Sequence, residues 1–412
     1  MKTDRRALAA ALCLWSVLFL LPFGRAAELP ILIGALHALA GWVREPRRVA
    51  DPRYRLALLA FSAYWLPEFL SAFDSLAADK SWMEVATDLR YLCFAMFCVD
   101  ALSTTTARRT LVWWSAGLLL LWIFDALVQA AFGIGLGGAL NTDRVSGIFG
   151  DDNLKLGPVL AVLSPIAILA ALDRYGRRVA ALVWLLAAVA VLLAGARGGW
   201  ISFAVVTFAL LWRIAQTPRR FAFALVAAGA IAAVLGGASY ALSERFAVRV
   251  DRTLAAFDGT RAGLENALAY RASIWETAVD MSLSHPLNGV GVRAFRVDYI
   301  VHARADDQWL AMNPGQGAFH AHQWLLEVAS ETGAIGLACW IAFLLVLIRH
   351  ARRLPRQERH AAAPYGIALI AMLFPINTHF AFYSSFWSNL YFWLLLVWIA
   401  HTLPPREQVS RS

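Results

Sequence analysis

Across 412 residues the chain is 60% hydrophobic and 16% charged, with 17 Trp and a mean hydropathy of +0.58, which excludes an ordinary soluble globule. Its net charge of +9 needs no nucleic-acid partner, because most of the basic residues sit in short loops between apolar runs, the pattern of membrane topology. The lipid bilayer is the partner that composition implies.

Apolar runs long enough to approach about 30 Å of hydrocarbon fall at roughly 7–21, 29–43, 55–72, 83–101, 111–132, 155–172, 179–195, 198–213, 221–240, 323–349, 363–380 and 384–402. An all-α polytopic membrane protein of about twelve transmembrane helices is expected. The first run resembles a signal peptide, with Lys2, Arg5 and Arg6 ahead of it, but it is read as a span because eleven more follow. Basic residues mark every second loop and both chain ends, in all 23 of the 37. The positive-inside rule then puts both termini in the cytoplasm. The resulting organisation is nine spans in 1–240, a large outer segment at 241–322, three spans in 323–402 and a tail at 403–412. Cys13, Cys93, Cys98 and Cys339 all fall within predicted spans, so no disulfide framework is expected.

In chain order, Glu68 and Arg90 are the polar exceptions among the first four spans, each read either as part of a pathway or as a snorkelling or paired group. The loop after the fifth span is glycine-rich (Gly133–Gly138), continues through Arg144-Val-Ser-Gly-Ile-Phe-Gly150, and ends in Asp151, Asp152 and Asn153 at the mouth of the sixth. It reads either as a turn with Asp152 or Asn153 capping the helix or as a substrate-lining segment. Gly195-Ala-Arg197-Gly-Gly-Trp200 joins the next two spans almost without a loop. An Arg at the tip of an apolar hairpin is costly unless it meets an anion, and guanidinium offers phosphate a planar fork of donors.

In the outer segment, 261–283 reads as one amphipathic helix. At about 100° per residue, Leu264, Leu268, Trp275 and Ala278 share a face with Arg271, which turns that Arg toward a buried anion or leaves it snorkelling. His285-Pro286 ends the helix and Gly289-Val-Gly291 turns the chain. His285 reads as a residue near a helix end. His320 and His322 close the segment, just before a long apolar run. No Cys, Asp or Glu set with zinc spacing stands near them, so no metal is expected there. A general base is the expected role, since imidazole titrates near 6.5. Glu327 and Glu331 follow His322 at +5 and +9; whether either orients the ring stays open. Arg197, Arg271 and His322 all fall on the predicted periplasmic side, which suggests chemistry on a lipid-linked phosphate.

Four stretches in order resemble the O-antigen ligase and polymerase superfamily of bacterial envelopes: Arg144-Val-Ser-Gly-Ile-Phe-Gly with Asn153; Gly195-Ala-Arg197-Gly; Tyr270-Arg271 with Trp275 and His285-Pro-Leu-Asn-Gly-Val-Gly291; and His320-Ala-His322-Gln323 with Glu331-Thr-Gly-Ala-Ile-Gly-Leu337. Gln323 stands where members often have Asn, and Ala196 where they often have Ser. The resemblance implies a GT-C-like membrane fold with one large periplasmic loop, in the bacterial inner membrane. It also implies inverting, metal-independent glycosyl transfer, with no cofactor, from an undecaprenyl-diphosphate-linked glycan donor. His322 would be the catalytic base and Arg197 and Arg271 the diphosphate ligands, with His320, Arg144, Asp152 and Asn153 lining the substrate. Ligation to a lipid A-core acceptor in lipopolysaccharide biosynthesis is the leading expectation and polymerisation of repeat units its near alternative. A protein O-oligosaccharyltransferase is less expected, because only about ten residues follow the last span. From another class, a transporter of lipid-linked sugars would account for the spans and arginines. It predicts inverted repeats or broken midplane helices, which are not visible in the sequence, and it leaves His322 without a task.

Overall fold

The computed structural model describes residues 2–140, 144–150 and 153–406, with backbone only for 2–4 and Arg245. The described residues are helical almost throughout. In chain order the helices are α1 Lys2–Leu20, α2 Glu28–Arg44, α3 Arg55–Ser71, α4 Ala78–Asp88, α5 Arg90–Ala101, α6 Thr105–Phe132, α7 Leu156–Tyr175, α8 Arg177–Leu193 and α9 Arg197–Ile214. They continue as α10 Pro218–Leu242, α11 Glu244–Leu254, α12 Arg261–Leu268, α13 Arg271–Ser284, α14 Phe295–His302, α15 Gln308–Met312, α16 Trp324–Arg353, α17 Arg356–Met372 and α18 Ser385–Thr402. One two-residue ribbon pairs Ile134 with Ala139 and Gly135 with Gly138.

Local chemistry accounts for the ends. Thr217 caps α10 by accepting from the Arg220 N–H at 3.3 Å, with Pro218 in the first turn, and Ser243 and Thr260 cap α11 and α12 in the same way. Gly176, at φ 84°, ends α7.

Among the described residues, five helical stretches are long and apolar enough to cross a membrane: Gly24–Arg44, Thr105–Phe132, Leu156–Tyr175, Pro218–Leu242 and Trp324–Arg353. This is the solvent for which α10 is built, since it is apolar all round and buries no residue against protein. Two expected runs differ in shape. The 83–101 run is two helices meeting at Leu89, and α5, at 12 residues, is only about 18 Å long. The 363–380 run leaves helix at Met372, where the Asn377 side chain donates to the Met372 carbonyl at 3.0 Å and a turn follows Pro375.

The chain divides into two compact units. The first takes residues up to Leu111, Tyr270–Ala363 and those from Phe380. Its core is aromatic: Tyr91 stacks on Phe392 at 4.0 Å between centroids, and Trp340 meets Phe382 at 4.8 Å. Arg90 is buried there and paired, 2.8 Å from Asp88, with Nη2 donating to the Tyr91 hydroxyl, which in turn donates to Asn389 Oδ1 at 2.7 Å.

The second unit takes Val112–Ala269 and Pro364–His379. At its centre α7 is almost wholly buried against α8 and α9. A side chain at Gly199 would stand 3.0 Å from the Gly157 carbonyl carbon, so this glycine serves the close crossing of α9 over α7. The described parts of the glycine-rich stretch, 133–140 and 144–150, fold onto α6, where Gln129 Oε1 accepts the N–H groups of Ser146 and Gly147 at 2.9 and 2.7 Å. Asp125 accepts that of Leu136 at 2.6 Å. The four cysteines are free thiols.

Candidate active site

The first unit holds His320, His322 and Arg271. The expected single helix over 261–283 is two helices: Ala269 and Tyr270 take left-handed φ values of 52° and 59° between α12 and α13. The reversal removes the common face proposed for Leu264, Leu268 and Arg271, and makes Arg271 the first residue of α13 instead. Trp309 fixes this corner by donating from Nε1 to the Tyr270 carbonyl at 2.8 Å.

Beyond α13, Pro286–Gly291 docks into a break in α16. Gly333, at φ 62° and ψ −158°, interrupts that helix, and the orphaned backbone groups on either side must find partners. The loop provides them. Val290 and Gly291 donate to the Ser330 and Glu331 carbonyls at 2.8 and 3.1 Å, while Ala334 and Ile335 donate to Pro286 and Leu287 at 2.9 and 3.2 Å.

The two acidic residues of α16 reinforce the joint. Glu331 Oε2 accepts the Arg293 backbone N–H at 2.8 Å. Glu327 accepts from the Phe382 and Tyr383 backbones at 2.8 and 3.3 Å. The Arg293 guanidinium donates to the Tyr383 carbonyl at 3.0 Å and lies 3.7 Å from Glu84. Both carboxylates thus hold these backbone segments against α16.

His322 itself has φ 52°, a conformation that costs a non-glycine residue about 1–3 kcal/mol and clusters at functional sites. The next residue, Gln323, is the N-cap of α16, accepting from the Leu326 N–H at 2.6 Å. The His320 and His322 rings are 3.9 Å apart between centroids, and Trp309 lies 6.1 Å from His322. Burial, and then the positive charges of Arg293, Arg271 and Arg296, push the His320 imidazole down to about 4. It is therefore neutral at physiological pH and lies in the field of three guanidinium charges. Arg293, Arg296 and Trp309 were not singled out by sequence reasoning. Their signal was faint: two arginines just beyond the Gly289-Val-Gly291 turn, and one Trp in a polar stretch.

The second unit holds Arg197, Arg144 and Asn153. Arg197 opens α9, and its Nη1 donates to the Ala267 carbonyl and to Thr253 Oγ1, the latter at 3.1 Å. Gly195, at φ 67°, leaves room for two more basic side chains: a Cβ there would stand 2.9 Å from Arg249 Cζ and 3.3 Å from Arg144 Cγ. Asn153 Oδ1 accepts the Lys155 N–H at 3.3 Å, a local turn into α7. Asp152 lies outside the described residues.

Residues 180–341, less than half of the chain, match the family model described as O-antigen ligase. The chain is also similar to the exopolysaccharide production protein ExoQ of Rhizobium meliloti, with 30% identity over 148 residues, 35% of this chain and 32% of that protein. The matched family region holds Arg197, Arg271, His320 and His322. Through it the chain is similar to the O-antigen ligase family, and it spans about a third of the length of the curated relative it matches.

Proposed function

We propose that the protein is an O-antigen ligase of the bacterial inner membrane, with both termini in the cytoplasm, 241–322 in the periplasm and the site at the periplasmic face. It moves a glycan from undecaprenyl diphosphate to a sugar hydroxyl of lipid A-core. The observation that carries this reading is the His320–His322 pair, 3.9 Å apart between ring centroids, with the charges of Arg293, Arg271 and Arg296 acting on His320: a proton acceptor in a field of positive charge suits a hydroxyl nucleophile and an anionic leaving group. Arg271 sharpens the point, because a cation in the first turn of a helix opposes the helix dipole and is relieved by an anionic ligand.

In the proposed step, His322 takes the proton from the acceptor hydroxyl. The freed oxygen attacks the anomeric carbon from the face opposite the diphosphate, so the configuration inverts. The bond to the diphosphate breaks, and Arg271 stabilises the charge that collects on the departing oxygens. Diphosphate leaves without a general acid. Arg197 is assigned to the donor diphosphate on the family resemblance, and Arg144, Asp152 and Asn153 to substrate lining on the same basis. A polymerase reading stays beside this one because the relative's name is that of an exopolysaccharide production protein.

The test is a deletion strain complemented with wild type or His322→Ala at matched membrane levels, with lipopolysaccharide and undecaprenyl-linked glycan analysed together. Polymer stranded on the lipid carrier beside bare lipid A-core supports ligation; core capped by single repeat units means polymerisation. Transfer falls about 10²–10⁴-fold in His322→Ala if the residue is the base, and full activity in that strain refutes the assignment.

A further inference from the structure

The segment that follows α13 carries a second group of ionisable side chains, unused by glycan transfer. His285 is the C-cap of α13. Asp298 and His302 stand four apart on α14, the spacing that brings two side chains onto one face. One ligand atom from each of the three lies within 4.8 Å of the other two. Asp298 Oδ2 is 3.0 Å from His302 Nε2, and His302 Nδ1 is 2.6 Å from Asp280 Oδ2.

Two of these atoms are incompletely satisfied. Asp298 is only 5% exposed, and its Oδ2 has no contact of hydrogen-bonding length beyond the His302 ring nitrogen 3.0 Å away, while the buried Nδ1 of His285 has no hydrogen-bond partner. Buried lone pairs left this way are costly, and a cation seated between them removes the cost. His302 is already arranged as a metal-bound imidazole is: one ring nitrogen faces the cluster, and the other meets a carboxylate, here that of the largely exposed Asp280. Two imidazole nitrogens and one carboxylate oxygen favour zinc and its first-row neighbours over magnesium or calcium.

We propose that His285, Asp298 and His302 form a site for a zinc-like divalent cation, with Asp280 orienting His302. The ion is structural. It clamps the end of α13 to α14 and so brackets the 286–294 segment, which supplies Val290 and Gly291 to the break in α16 and carries Arg293. A site of this kind is compatible with glycan transfer that itself needs no metal, and it stands whether or not the ligase reading does.

The experiment uses full-length protein without a polyhistidine tag, purified in detergent, stripped with a chelator and titrated with Zn²⁺ against a chromophoric competitor. Co²⁺ serves as a second probe through its visible absorption. The expected result is one Zn²⁺ per chain and a raised thermal midpoint on loading. Asp298→Asn and His302→Gln abolish that binding, Asp280→Asn weakens it about 10–100-fold, and His320→Ala with His322→Ala leaves it intact. No stoichiometric Zn²⁺ on stripped wild type overturns the proposal without recourse to any variant. Binding that survives His302→Gln overturns it too, and His302 is then a protonated imidazole held between Asp280 and Asp298.

Discussion

Replacing Gly333 with Ala tests the joint on which the histidine site is built. The residue sits at φ 62° and ψ −158°, a region essentially restricted to glycine, and forcing another residue into it costs about 1–3 kcal/mol. Space is also lacking. A Cβ would run into the Leu287 carbonyl and come within 2.7 Å of the Gly289 nitrogen. These are backbone atoms, so relief requires the loop to move away. That movement strains or breaks the Ala334–Pro286 and Ile335–Leu287 hydrogen bonds of 2.9 and 3.2 Å, each contributing about 1 kcal/mol. The combined loss is about 3–5 kcal/mol, and the loop carries Arg293 with it. Thermal unfolding of wild type and Gly333→Ala in the same detergent, with glycan transfer measured on the folded fraction, reads both effects. A lower midpoint and lost transfer are expected. An unchanged midpoint with full transfer would refute the claim that a glycine-only break in α16 holds the site together.

Three other perturbations address the site directly. Because the folded state holds His320 at about 4 against an ordinary value near 6.5, the unfolded chain takes up its proton first. Stability contributed by neutral His320 is therefore present above about pH 6.5 and declines as pH falls toward about 4. His320→Gln flattens that part of the midpoint-against-pH curve, and an unaltered slope would contradict the burial and the three guanidinium charges invoked here. Glu327→Ala strands the Phe382 and Tyr383 N–H groups, at about 1–3 kcal/mol for each buried donor; a midpoint equal to wild type would show that the carboxylate does not hold that loop. Arg197→Lys gives up the planar guanidinium, whose Nη1 donates to both Thr253 and Ala267, and transfer is expected to fall about 10²-fold with membrane levels maintained. Full transfer in the Lys variant would remove Arg197 from the diphosphate role.

The sequence by itself determined the solvent and the class of this protein. Its apolar runs are too long and too continuous for a soluble core, and each of the twelve coincides at least in part with helix. Arg197 and Arg271 were legible as anion candidates because charge is rare and costly beside so much apolar surface. What only the tertiary structure decided is how the backbone bends around the histidines. Nothing local in Ala269-Tyr270 announces two left-handed residues; the Trp309 hydrogen bond to Tyr270 comes from 39 positions away. Gly333 reads in sequence as one more small residue in a helix, until the 286–291 loop supplies partners for the carbonyls and N–H groups that its break exposes. Glu327 and Glu331 showed only their helical spacing, and their partners Phe382, Tyr383 and Arg293 are long-range. Periodicity and composition record what each residue prefers of its solvent and its neighbours in sequence. The pairing of buried polar groups is decided by whichever distant backbone arrives beside them.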